Sequence, residues 1–194
     1  MVWLPQEGRG FYPVRQEDMP YDREYFEKYR RQADTPIGHA LTEARVQMVL
    51  RHWDGPVLDV GIGCGQFVLA HPQAHGFDVN PAGVAWLKEG GIWDDLYGRQ
   101  YPALTFWDSL EHIFDIEKAV SHADEWVFVS LPIFDNSEHC LRSKHFRPNE
   151  HVWYFTDTGL KDWFAKQGFA CVEQNNLETL IGREGIGSYA FRRV

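Results

Sequence analysis

The stretch VLDVGIGCGQF, residues 57–67, admits few folds. A short, mostly apolar run gives way to three alternating glycines and then resumes an apolar pattern, which predicts a buried strand, a tight turn and the start of a helix. Gly61, Gly63 and Gly65 carry no Cβ, so the main chain there can take unusual angles and a ligand can lie directly against it. A dinucleotide fingerprint also follows a strand, but with GxGxxG spacing. Here the spacing is GxGxG, and Asp59 stands two residues before the first glycine.

A second carboxylate sharpens the reading. Asp78, in AHGFDVNP, falls 13 residues beyond Gly65 at the expected carboxyl end of the next strand, with Asn80 and Pro81 leading into the helix-like AGVAWLKEGG. A carboxylate in that position can accept two hydrogen bonds from the vicinal hydroxyls of a ribose. The same Asp78 and Asn80 also suit turn initiation and helix capping. Taken together, the glycine turn and Asp78 resemble the donor site of class I S-adenosylmethionine (SAM) dependent methyltransferases, over most of residues 35–194 and closest to a short subgroup with a reduced third strand. The resemblance implies that Gly61, Gly63 and Gly65 hold the methionine part of SAM. Asp59 would orient the turn or bind the amino group, Asp78 with Asn80 would take the ribose, and Asp108 would border the reacting centre.

The rest of the chain fits a doubly wound α/β fold. IGHALTEARVQMVLRHW predicts a leading helix that ends at the Asp54–Gly55 turn. After the second strand, WDDLYGRQYP stands where a third strand and helix would be, so this region looks abbreviated. Residues 103–107 predict a strand ending at Asp108, and Trp126–Ser130 a further one. Alternating strands and helices argue for a parallel, Rossmann-like sheet with ligands beyond its carboxyl ends. TDTGLKDWFAKQGF predicts a capped helix, followed by two strands that would form a C-terminal antiparallel hairpin. Residues 1–34 are expected as an N-terminal extension, and residues 35–194 as the methyltransferase domain. In that extension Tyr21, Tyr25 and Tyr29 share a helix face, either packing on the domain or forming a helical lid.

Composition excludes several classes. With 44% apolar and 15% aromatic residues the chain is not disordered, and no apolar run approaches the ~18 residues of a membrane span. The N-terminus lacks a secretory pattern and the three cysteines, Cys64, Cys140 and Cys171, form no CxxC pair, so a soluble protein in the reducing cytoplasm is expected. A net charge of −9 disfavours broad contact with duplex DNA, because counterion release needs clustered Lys and Arg.

WDSLEHI holds a second constellation. Asp108, Glu111 and His112 lie within five residues and can converge if a helix begins near Ser109, while His151 in NEHVWYF can join from a distant loop. Oxygen ligands with imidazole suit Mg²⁺ or Mn²⁺. The pattern is similar to the metal site of small-RNA 3′-end 2′-O-methyltransferases and some quinone-precursor O-methyltransferases, although Asp108 replaces the Glu usual at its first position. The other reading is a metal-free site in which Glu111 and His112 line the substrate mouth and His112 and His151 act as acid or base. The loop from Pro132 to Pro148 adds His139, Cys140 and His145, whose spacing matches no closed zinc motif. It also holds the basic residues Arg142, Lys144 and Arg147, which suit an anionic substrate or a solvated face.

These residues lead to an expected transfer of a methyl group from SAM to oxygen or nitrogen of a small molecule, or of a nucleic-acid or protein terminus. The alternative is a noncatalytic SAM-binding or interaction module of the same fold. There is no NPPY-type tetrad and no prolyl-cysteine nucleophile, which disfavours methylation of DNA bases.

Overall fold

The computed structural model describes residues 1–13 and 21–194. Its centre is a six-stranded sheet of β3 (Val57–Val60), β4 (Ala74–Phe77), β5 (Tyr101–Trp107), β6 (Ala123–Pro132), β8 (Phe169–Asn175) and β9 (Ile186–Arg193), in the order β4-β3-β5-β6-β9-β8. β4, β3, β5 and β6 run parallel, whereas β9 lies antiparallel between β6 and β8. The doubly wound sheet and the closing antiparallel pair expected from the sequence are both present. From β3 the chain winds outward to β4 on one side and to β5 on the other. Such a switch opens a crevice at the carboxyl ends of the two central strands.

Both faces of the sheet are covered, which explains the nearly continuous apolar runs in its strands. On one face Leu58, Val60, Leu104, Phe106, Val127 and Val129 pack with α5 (Ile116–Ser121) and α7 (Asp157–Lys166). On the other, Val57, Ala103, Trp126 and Phe128 meet residues of α1 (Arg23–Ala33), α2 (Pro36–Leu50), α3 (Gln66–Ala70) and α4 (Pro81–Glu89). Odd and even residues of one strand thus serve opposite layers. Thr35, Asn80 and Thr156 cap α2, α4 and α7 through their side chains.

The abbreviated third strand is reduced to one bridge. Gly76 N–H donates to Ile92 O at 2.9 Å and Asp94 N–H donates to Gly76 O at 3.0 Å, so Trp93 pairs with Gly76 alone. The N-terminal residues form strands of their own ahead of the central sheet. β1 (Val2–Leu4) and β2 (Arg9–Phe11) form an antiparallel hairpin, and β2 pairs with β7 (Trp153–Phe155) to make a second, three-stranded sheet. Two further elements are short: α6 (Ser137–Arg142) and α8 (Leu177–Leu180), the latter between β8 and β9. Among the described residues, no helix is long and apolar enough to cross a membrane.

The stacked rings of Phe164 on α7 and Phe191 on β9, with centroids 3.8 Å apart, join the helical layer to the sheet. Phe191→Ala is expected to lower the unfolding free energy by about 3–5 kcal/mol, measured by urea denaturation.

Candidate functional site

The glycine turn leaves β3 in the left-handed region at every second residue, with φ of +79° at Gly61, +58° at Gly63 and +83° at Gly65. Space is as restrictive as conformation. A Cβ on Gly61 would come within 2.5 Å of the Ser109 Cβ, and one on Gly65 within 2.3 Å of the Trp86 ring. Two strand ends and a helix close on the turn, and glycine is what lets them do so.

Asp59 lies beneath the turn, 1% exposed, and accepts a 2.7 Å hydrogen bond from the Thr105 hydroxyl. That position suits support of the turn. Burial pushes its carboxyl up to about 7, against the opposing effects of Thr105 and the Arg45 charge. Asp78 follows β4 and accepts from Asn80 N–H at 2.7 Å; burial raises it to about 6, while backbone N–H groups of Asn80, Ile62 and Val79 oppose the rise. Asn80 takes the helix-capping place that the sequence also suits. Its Oδ1 caps α4 through Ala82 N–H, and its Nδ2 donates to Asp22 O at 2.9 Å. With both ends of the amide engaged and 4% of the residue exposed, it ties α1 to α4.

Asp108 also departs from expectation. It ends β5 with φ +55°, a left-handed conformation that Asp tolerates better than most residues. Arg183 binds it with both terminal nitrogens, at 2.8 and 2.9 Å, and Arg45 adds a third contact at 2.6 Å. Glu178 receives Arg45 Nε at 2.8 Å and also pairs with Arg183, closing a network of two cations and two carboxylates. Burial alone would raise the Asp108 pKa, but Arg183 and Arg45 outweigh it and hold the carboxyl well below its usual range. Its oxygens are committed to guanidinium groups, so the expected places of Asp108 as metal ligand and as cofactor ligand are both corrected. Arg45, Glu178 and Arg183 were missed because no local motif marks them. Their only sequence signal is charge within otherwise apolar or turn segments.

The remaining three residues do gather. After Asp108 the chain forms a single 3-10 turn, Leu110–His112, in place of the expected helix. Val152 N–H donates to Glu111 O at 2.8 Å, drawing His151 alongside. The His112 and His151 rings meet nearly edge to face, with centroids 4.6 Å apart, and ligand atoms of Glu111, His112 and His151 all lie within 4.8 Å of one another. Glu111 Oε2 and Nδ1 of both histidines are buried with no hydrogen-bond partner. Burial, then the charge of Asp108, raises Glu111 well above the ordinary carboxyl range, while burial depresses His112 to about 4 and His151 to about 2. Burial thus disfavours the charged form of all three residues. His139 and His145 are elsewhere engaged, with Asp135 and with Glu184 O, and Cys140 is buried against Met1.

A family model described as a methyltransferase domain matches residues 21–174. The chain belongs to this methyltransferase family. No curated protein sequence matches it. Among solved structures, magnesium protoporphyrin IX methyltransferase of Synechocystis PCC 6803 with bound S-adenosylhomocysteine (SAH) is 15% identical, with 90% of this chain and 96% of that one covered at a TM-score of 0.66. A possible histamine N-methyltransferase of Thermotoga maritima is 12% identical, covering 88% and 97% at 0.64. The 1,6-didemethyltoxoflavin N1-methyltransferase of Burkholderia thailandensis, with that substrate and SAH bound, is 14% identical, covering 88% and 86% at 0.59. Family and fold make the chain a SAM-dependent methyltransferase of class I.

The raised Asp59 has a measurable consequence. Its folded pKa, about 7, lies above its unfolded value, so the folded state holds the proton more tightly and stability falls as pH rises from about 4 to about 7. Asp59→Asn, which retains an acceptor for Thr105, should flatten that part of the stability profile and raise the melting temperature at pH 8.

Proposed function

We propose that this methyltransferase acts on an oxygen or nitrogen of a small polar molecule, held at Glu111, His112 and His151. The observation that carries the reading is the set of unpartnered polar atoms in those residues: Glu111 and His112 follow β5 at the same sheet edge as the glycine turn and Asp78, and His151 joins them from the segment before β7. Buried polar groups without partners are costly, and an acceptor that satisfies them would gain accordingly. The small heterocycle in the Burkholderia structure supports an acceptor of this size. An anionic acceptor fits less well, since Arg45 and Arg183 are neutralised by Asp108 and Glu178.

The residues fit SAM. The crowded glycine turn offers main chain where a side chain would collide, and Asp78 is a half-buried carboxylate at the end of β4. When bound, SAM supplies an electrophilic methyl group on a sulfonium. Asp78 accepts hydrogen bonds from the ribose hydroxyls, and the turn from Gly61 to Gly65 holds the methionine portion. Neutral His112 and His151 accept hydrogen bonds from the acceptor's O–H or N–H and orient its lone pair. Their low basicity is no obstacle. A hydroxyl oxygen that gains a methyl becomes strongly acidic, so a weak neighbouring imidazole suffices to take its proton; an amine nitrogen becomes an ordinary ammonium and loses its proton to solvent.

The proximity of the three ligand atoms supports a second reading in which a divalent cation assists. Glu111, His112 and His151 would hold it without Asp108, and it would lower the pKa of an acceptor hydroxyl. Loss of activity on chelation, with recovery on adding Mn²⁺ or Mg²⁺, is the outcome this second reading requires; activity indifferent to chelator leaves the histidines as the acceptor-orienting groups.

Asp78→Ala is expected to weaken SAM by about 1.5–3 kcal/mol in isothermal titration, the worth of hydrogen bonds to a charged group. His112→Ala should leave SAM affinity within about twofold and abolish transfer, because Glu111 and His112 belong to the acceptor side in this reading. Screening small-molecule, RNA and protein acceptors with radiolabelled SAM tests the acceptor class.

A further inference from the structure

Tyr25 and Tyr29 of α1 and Tyr21 just before it have no part in the chemistry above, yet their placement is specific. Tyr21, Tyr25 and Tyr29 form a continuous row with ring centroids 5.5 and 4.8 Å apart, and the Tyr25 hydroxyl donates to Tyr29 at 3.2 Å. This row is not the packing face of the helix. Phe26 fulfils that role, buried and 6.4 Å from Trp86.

α1 is clasped to the donor side at both ends. Asn80 Nδ2 donates to Asp22 O at its start, and Gln66 Nε2 donates to Ala33 O at its end, each at 2.9 Å. Between the clasps Tyr29 lies over the glycine turn, where a Cβ on Gly63 would be 3.7 Å from its ring. At the other end Tyr21 faces carboxylates: after burial, the charges of Asp78 and Glu150 raise its hydroxyl pKa. The row runs from the glycine turn towards Asp78. In SAM the positive sulfur is bonded to both the methionine chain and the ribose carbon chain. A donor with its methionine at the turn and its ribose at Asp78 has that sulfur between them, on the stretch covered by Tyr25 and Tyr29.

We propose that Tyr25 and Tyr29 recognise the sulfonium charge of the donor through their ring faces, so that α1 favours SAM over its neutral thioether product. A cation within ~6 Å of a tyrosine face gains from a few-fold to about thirtyfold in affinity, more when water is excluded. Asp78 and Glu150 near the row favour a cation, with Arg147 and Lys28, whose Nζ lies 6.0 Å from the Tyr29 ring, the opposing charges nearby. The inference rests on the donor placement given under Proposed function.

The test is isothermal titration of the wild-type chain, Tyr25→Leu and Tyr25→Phe with SAM and with SAH. Tyr25→Leu should bind SAM about tenfold more weakly and SAH less than about threefold more weakly, whereas Tyr25→Phe, which keeps the ring, should match wild type for both. Equal losses for SAM and SAH, or undiminished SAM affinity in Tyr25→Leu, overturn the proposal. A loss in Tyr25→Phe as large as that in Tyr25→Leu overturns it too, by assigning the effect to the hydroxyl. If Tyr25→Leu does not fold, Tyr29→Leu carries the same expectation. A wild-type chain that binds SAM while Asp78→Ala binds it equally well refutes the donor placement itself, which separates that failure from a failure at the tyrosines.

Discussion

Ser109 rests against bare main chain at Gly61, and the arrangement of the ligand-binding edge depends on that contact. The serine hydroxyl donates to Val60 O, the last residue of β3, while Gly61 N–H donates to Phe77 O at the end of β4. Three strand ends are fastened together within one residue of a turn that only glycine can make there. Asp108 precedes this serine and the 3-10 turn with Glu111 and His112 follows it. The glycine turn and the Glu111–His112 turn are consequently held together by one short segment.

The electrostatics of that segment divide sharply between adjacent positions. Asp108 is ionised by two arginines, and its negative charge helps keep Glu111 protonated three residues later. Two arginines and two carboxylates cancel within the network, so the strong fields of four charges stay local. The neighbouring Glu111, His112 and His151 instead keep polar atoms that are buried without partners. The net charge of −9 therefore describes the surface of the molecule and says little about its site.

Much of this was legible in the sequence where the cause is local. The strand–glycine–helix unit, the position of Asp78 after β4, the capped helices and the closing strand pair follow from periodicity and turn chemistry within a few residues of each. The arginine pairing of Asp108 and the tie from Asn80 to α1 were not legible, because each is decided by partners distant in the chain. Arg45 and Arg183 lie 63 and 75 residues from Asp108, and Asp22 lies 58 residues from Asn80. A carboxylate beside Glu and His looks like a ligand until the guanidinium groups that claim it are known. The pairing of the N-terminal hairpin with β7 was hidden for the same reason, since its short strands carry no alternation that names a partner. In the third-strand region the polar segment correctly signalled a reduction, but not that one bridge at Gly76 would survive.

The connection between β8 and β9 carries a consequence for how the molecule comes into being. Residues 178 and 183, which lie in that connection, supply half of the charge network at the end of β5, and Arg45 reaches Glu178 across 133 positions. During synthesis Asp108 emerges long before the cation that binds it with two hydrogen bonds. Until the late segment docks, Arg45 is the one cation of this network that Asp108 can meet, and the network stands half built. Contacts of such separation slow folding, and they make the competent edge a late product of assembly. A nascent chain of this protein acquires its strands in sequence but its site only at the end.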